Sequence, residues 1–375
     1  SGAKSDFDKA IEIHPRYAEA LANRGTLVGD LGDLSRAIGI NSRVAAWYYN
    51  RGNLLKGDPK RAVEDYSQAI ELDPDHAESY YQRALLTLRE KPDAALADLS
   101  RAIELRPADA DMWSLRGLAR LAKGDREGAE KDYAQAIQKN PKHEPAYLYR
   151  GVLRQENGDL DGALDDYSKA IAINPRSTLA LTNRGALYRA MGDFDAALDD
   201  LSRAIELDPK DAKARNNRGN VWRVRGKSDA AMEDLTKAVE LDPRFAEAFY
   251  NRGSLKADLE NFAGAIEDYT KAIEVEPKFT QAFHNRAIAK ENQGDLAGAL
   301  KDYDRALELD PKDPKMYVNR GLAREAAADR QGPGSIEYVR QAVEDLEQAL
   351  RLGGPNWDHR GMVESALTRL RMKNR

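Results

Sequence analysis

A three-residue motif returning at one fixed interval limits this chain more than any other feature. Asn-Arg-Gly begins at Asn183, Asn217, Asn251, Asn285 (there as Asn-Arg-Ala) and Asn319, 34 residues apart each time. Variants stand earlier, at Asn23, Asn50, Gln82, Leu115 and Tyr149, and once later, at His359. A second pattern runs between the copies: Gly-Asp, an Ala, a Tyr or Leu, Ala-Ile or Ala-Leu, and often Asp-Pro. Self-similarity at this period predicts a stacked array, because one unit is too small to bury a core of its own. The length of 375 residues then measures the number of units and not the number of globular domains.

Each unit reads as two helices. In residues 181 to 209, Leu181, Arg184, Gly185 and Tyr188 share one face of a first helix. Gly192 breaks it and Asp193 is suited to cap a second helix. Ala197, Leu201, Ala204 and Ile205 make that helix's inward stripe, and Pro209 ends the unit.

The spacing of large, small and aromatic residues resembles the tetratricopeptide repeat (TPR) family. It reads Phe249, Gly253, Ala265, Tyr269, Ala272, Pro277 in one unit and Trp113, Gly117, Ala129, Tyr133, Ala136, Pro141 in another. The resemblance covers nearly the whole chain and implies an all-α, right-handed TPR superhelix, an α-solenoid of about ten repeats. Residues 1–14 are expected to be a partial second helix of a truncated repeat. The array should fill 15–352, with a short repeat at 15–42 and an insertion at 329–337 in which "GPGS" (332–335) forms a turn. A capping helix should occupy 353–375. Phe7 and Ile11 lack an N-terminal neighbour, which predicts either a piece of a longer protein or self-association through that end.

Where the family usually carries an apolar residue before the crossing glycine, this chain carries Arg: Arg24, Arg51, Arg83, Arg116, Arg150, Arg184, Arg218, Arg252, Arg286, Arg320 and Arg360. A charge beside a core stripe needs a partner. Asp precedes the Tyr or Leu of each full second helix, from Asp65, Asp98 and Asp132 through Asp302 and Asp345, and also stands at Asp6. Pairing each Asp with the Arg of the next unit strands only Arg51, so that register is expected, with the pairs bridging neighbouring units. A group copied so often is structural and not catalytic.

The copy "GDLSRAIGIN" (32–41) lacks seven residues. Seven residues turn a helix through about 700°, close to two full turns, so the buried face should survive. The loss is expected within the second helix, with Ala37 standing from Asp33 as Ala197 stands from Asp193. That would leave a notch on the outer face near 33–58, and lower stability there.

The residue before each Arg lies about 100° off the buried face. In the TPR family this side faces the concave groove, and a row of asparagines there is similar to the ladder of the O-linked N-acetylglucosamine transferase TPR region, which holds extended peptide. A carboxamide offers donors and an acceptor together and so matches a peptide unit. The resemblance implies a peptide-binding site of Asn183, Asn217, Asn220, Asn251, Asn285 and Asn319. Lys213, Asn216, Arg223, Tyr250 and His284, at neighbouring groove-side positions, would tune specificity. A carboxylate clamp of the kind some TPR proteins use is read as absent, since Gln281 and Asn285 stand where cations would be needed.

The rest of the sequence argues by omission. It has no cysteine, and its five histidines show no ligand spacing. It has no nucleotide-binding loop or nucleophile elbow, so neither cofactor nor catalysis is expected. A net charge of −5 argues against nucleic acid, and no apolar run is long enough to span a membrane. The composition reads as soluble, with a cytoplasmic setting favoured over a periplasmic or secreted one. The chain is therefore expected to be a non-enzymatic module that binds a protein or peptide segment. The alternatives are a substrate-recruiting arm of a larger enzyme and a self-assembling scaffold.

Overall fold

The computed structural model describes residues 2–55, 57–331 and 336–373; the "GPGS" turn expected at 332–335 lies outside them. Among the described residues there are 22 α-helices and no strand. None of these helices is long and apolar enough to cross a membrane. The chain divides into two compact units, residues 1–183 and 184–375.

The first unit contains α1 (Gly2–Ile13), α2 (Ala18–Val28), α3 (Leu31–Ile40), α4 (Ala45–Leu54), α5 (Pro59–Leu72), α6 (Ala77–Thr87), α7 (Pro92–Leu105), α8 (Ala110–Ala122), α9 (Arg126–Lys139), α10 (Glu144–Glu156) and α11 (Leu160–Ile173). The residues of α12 (Thr178–Met191) are divided between the two units. The second unit continues with α13 (Phe194–Leu207), α14 (Ala212–Val224), α15 (Ser228–Leu241), α16 (Ala246–Asp258), α17 (Phe262–Val275), α18 (Thr280–Asn292), α19 (Leu296–Leu309), α20 (Pro314–Gln331), α21 (Ile336–Gly353) and α22 (Arg360–Lys373). Even-numbered helices from α2 to α20 are the first helices of repeats. From α2 to α10 and from α14 to α20, each first helix packs on its own second helix and on the preceding one. The Gly-Asp turns act as expected: Gly158 and Gly192 take positive φ, and Asp159 and Asp193 accept a backbone N–H three residues on.

Close approach at one small residue organises the helix pairs, a glycine in eight repeats and Ala84 or Ala287 in the other two. A Cβ on Gly117 would lie 2.6 Å from a ring carbon of Tyr133, and one on Gly185 2.7 Å from Leu201. The second helix's Tyr or Leu therefore sits directly on the first helix's backbone. Asp166 Cβ comes within 3.3 Å of the position a Gly151 Cβ would take. That brings each carboxylate to the Arg preceding the same glycine.

The pairs accordingly close inside each repeat and not between repeats, which corrects the expected register. Arg184 Nε donates to Asp200 at 2.7 Å and Arg150 Nε to Asp166 at 2.9 Å, each with a second bond from Nη2. Arg51 is not stranded; it pairs with Asp65. Arg24 takes Asp33 and Asp8, with no ion pair to Asp6. Arg360 bonds the Gly354 carbonyl and pairs with Glu364, while Asp345 takes Arg320 and Arg324. The stitching between repeats uses a different atom. Nη1 of Arg51, Arg83, Arg218 and Arg286 reaches back to Ser35, Ser67, Ser202 and Thr270 of the preceding second helix, two residues past its Asp. Aromatic residues three before the Arg add a cation–π contact, as Trp113 does for Arg116 at 4.7 Å.

The short repeat is also corrected. Its turn is Gly29-Asp30, with Gly29 at φ +74° and Asp30 capping α3. Gly29 follows Arg24 by five residues where Gly192 follows Arg184 by eight; Asp33 follows Asp30 by three where Asp200 follows Asp193 by seven. Three residues are missing from the end of the first helix and four from the start of the second. Each loss is close to one turn, so both faces are kept. Asp33 is thus the pairing aspartate, Leu34 packs beside Gly25, and Ala37 is the counterpart of Ala204, not Ala197. The inward residue survives, and the missing turns lie at the edge where the two helices join instead of on the outer face.

At the ends, Ile11 is buried with Leu21 and Leu34, and Phe7 packs against them. Val363, Ala366, Leu367 and Leu370 of α22 are buried with Val339 and Leu346 of α21.

Candidate functional site

The residue before each Arg lies on the side where first helices meet one another. In the second unit three of these asparagines bond across that seam. Asn251 Nδ2 donates to Asn216 Oδ1 at 2.9 Å, Asn285 Nδ2 to Tyr250 Oη at 2.9 Å, and Asn319 Nδ2 meets His284 Nε2 at 2.8 Å. Each bond spans 35 residues, one more than the repeat. The carboxamide of one first helix thus reaches the residue before the carboxamide of the previous one. In the first unit Asn50 makes a similar bond to Thr26 at 3.1 Å.

The remaining candidates are placed as follows. Asn183 belongs to the first unit and is half-buried. Asn217 is half-buried and Asn220 buried, and among the described residues neither side chain has a hydrogen bond. Asn220 matches Asn53, which accepts from the Tyr66 hydroxyl at 2.9 Å; Leu235 replaces that tyrosine in the Asn220 repeat. Lys213 is exposed, and Arg223 Nε bonds Asp258 at 2.5 Å on the next first helix. Tyr250 packs against Phe279 (5.0 Å) and Tyr269 (5.7 Å). His284 lies 5.8 Å from Tyr303. Burial lowers the pKa of His284, opposed by Asp313. Neutral His284 offers Nε2 as the acceptor for Asn319 when its proton is on Nδ1.

Two clefts open along this seam. One, of about 230 Å³, is lined by Arg223, Tyr250, Ser254, Asp258, Tyr269 and Asn285 among others. The next, of about 520 Å³, includes Glu291, Tyr303, Asn319 and Leu322; Ile288 lines both. The tyrosines of the second helices form the floor. Tyr269 Oη reaches Ser254 Oγ at 3.2 Å and Tyr303 Oη reaches Glu291 Oε2 at 3.1 Å. Burial raises the pKa of the Tyr269 hydroxyl and of the Glu291 carboxyl, the latter eased by the Tyr303 bond. Sequence reading singled out Asn285, Asn319, Tyr250, His284 and Arg223 but missed Ser254 and Glu291. For Glu291 the signal was available in the position five after each Arg, which reads Arg189, Arg223, Ala257, Glu291, Glu325; Ser254 stands two after Arg252.

Comparison with known proteins follows the helix-pair period. Models described as tetratricopeptide repeat match residues 178–211 and 246–279, 83–142 and 115–178, and 212–245. A TPR repeat model matches 54–91 and 292–326. Together they cover more than half of the chain. No curated protein matches it. Among solved structures, a tetratricopeptide repeat protein from Parabacteroides merdae is 21% identical over 70% of this chain and 98% of its own, with a TM-score of 0.50. A chain of the APC/C hetero-tetramer Cut9-Hcn1 is 15% identical over 98% and 86%, with a TM-score of 0.58. These two share the fold. YrrB, described as a TPR protein with an unusual peptide-binding site, is 27% identical over 50% and 97%, with a TM-score of 0.41.

Proposed function

Because the chain belongs to the tetratricopeptide repeat family, whose fold serves protein–protein interaction, we propose that it is a non-enzymatic module binding an extended peptide or protein segment along the first-helix side of α14, α16, α18 and α20. The observation that carries this reading is the position of Asn285 and Asn319, each bonded to the preceding first helix and each lining an open cleft. A carboxamide has two donors and an acceptor oxygen. The seam bond uses one N–H, which leaves the other N–H and the oxygen for a ligand. It also holds the amide's orientation, so a peptide need not spend binding energy on ordering it. A row of such bonds reads the backbone and is indifferent to sequence, while Tyr250, His284, Arg223 and Lys213 select side chains. Each backbone bond is worth roughly 0.5–1.5 kcal/mol net.

Selection from a displayed library of extended peptides tests this. Changing Asn217, Asn251 and Asn285 together to Ala should weaken the selected peptides by about 10- to 1000-fold, taking about 1.4 kcal/mol per tenfold. Undiminished binding by a folded triple variant would remove the ladder from the account.

A further inference from the structure

The 520 Å³ cleft between α18 and α20 holds a carboxylate that, among the described residues, is in no ion pair. Glu291 Oε2 accepts from Tyr303 Oη, and among the described residues neither of its oxygens has an ion-pair partner. One repeat further on, the equivalent position is filled from within the chain. Glu325, five residues after Arg320 as Glu291 is five after Arg286, receives Arg369 of α22 through Nε and Nη2, both at 2.7 Å. Arg369 stands nine residues after Arg360. The residue nine after Arg320, on the helix that follows Glu291, is Asp329, a second acid. The neighbouring first helix therefore offers Glu291 no equivalent of Arg369.

We infer that Glu291 anchors a subsite for a guanidinium group, an arginine side chain of the bound segment, seated as Arg369 is seated on Glu325. The inference rests on the peptide-binding reading above and deepens it by naming a side chain. The surroundings suit that occupant. Ile288 and Leu322 line the cleft and can cover the methylene stem. The Asn319 amide, whose Nδ2 is used by His284, has its oxygen available for a further N–H. A guanidinium matches a carboxylate with two parallel bonds, which an ammonium cannot do. Arg330 also lines the cleft, but it donates to the Gly294 carbonyl at 3.0 Å and makes no ion pair with Glu291. Burial pushes the Glu291 carboxyl above its ordinary range, as it does when no cation offsets the cost of desolvation.

The experiment has two arms. In the first, Nα-acetyl-arginine amide and its glutamine counterpart are titrated into the full chain while the Asn319 side-chain amide is followed by NMR. Saturable shifts with the arginine compound alone, lost in Glu291→Gln, are expected; equal shifts, or none, overturn the subsite. In the second, Ser-Ala-Ser-Arg-Ser-Ala-Ser, blocked at both ends, is compared with the same peptide carrying Gln in place of Arg. At least a tenfold preference for the arginine peptide is expected in the wild type and none in Glu291→Gln. Binding of both peptides without preference keeps the groove and overturns the subsite. Response in the first arm with no binding in the second keeps the subsite and overturns the groove. Should Glu291→Gln not fold, the wild-type comparison of Arg with Gln decides by itself.

Discussion

The hydroxyl of Tyr133 tests the packing logic most sharply. Five repeats place a tyrosine on the first helix at the crossing, and four of its hydroxyls find a partner there: Tyr66 with Asn53, Tyr167 with Gln155, Tyr269 with Ser254 and Tyr303 with Glu291. These partners lie two or five residues after the repeat's Arg. In the Tyr133 repeat both positions are leucine, Leu118 and Leu121. The Tyr133 hydroxyl is fully buried with no hydrogen bond. Leaving such a group unmade costs about 1–3 kcal/mol. Tyr133→Phe deletes it and keeps the ring, so it should stabilise the first unit by about 1 kcal/mol or more. Tyr167→Phe loses a made bond and should destabilise by about 0.5–1.5 kcal/mol. The two variants, alike in chemistry, should move the urea midpoint in opposite directions. Because an array need not unfold in one step, amide exchange of α8 and α9 should be followed beside the bulk transition. Leu118→Asn offers Tyr133 the partner that Tyr66 has in Asn53, and its cost should be smaller with Tyr133 present than with Phe, a coupling of about 1 kcal/mol. A destabilised Tyr133→Phe, or a cycle with no coupling, would refute the reasoning.

Asp166 is fully buried and takes Arg150 twice and Arg154 once; Asp166→Ala should destabilise by about 3–5 kcal/mol in urea, and a loss under 1 kcal/mol would mean the pairs contribute little. Gly185→Ala drives a methyl into Leu201 and should cost about 1–3 kcal/mol by the same assay, with relief when Leu201 is shortened. His284 has its pKa lowered by burial, so the unfolded chain binds the proton more readily than the folded one. Its contribution is complete above its ordinary value of 6.5 and is lost as the pH falls below it. The melting temperature should decline on acidification through that range less steeply for His284→Gln than for the wild type, and parallel profiles would exclude His284 as the cause.

Much of the fold was legible because helical periodicity, glycine turns and proline stops are local properties. Asp159 and Asp193 cap where the Gly-Asp pairs said they would. The side of the helix on which Asn251, Asn285 and Asn319 stand was also legible, since a step of about 100° from a known buried residue places the next one. The partners of their amides were not. A bond over 35 residues joins two helices whose relative shift depends on how deeply side chains interlock, and no repeat count contains that.

The sequence by itself determined that the chain forms paired helices, that each pair crosses at a glycine or alanine, and that an Arg and an Asp belong to every full repeat. Tertiary structure alone decided which Asp meets which Arg. Counting favoured the next repeat because that register stranded fewer charges, whereas contact favoured the same repeat because the Tyr or Leu lying on the glycine carries its neighbouring Asp to the adjoining Arg. The short repeat was decided in the same way. Seven missing residues can be removed in one block or as two single turns with almost the same effect on the buried faces, and only the seating of Leu34 on Gly25 and of Asp33 on Arg24 distinguishes them. Periodicity specifies directions around an axis; close packing of two backbones specifies the positions along it.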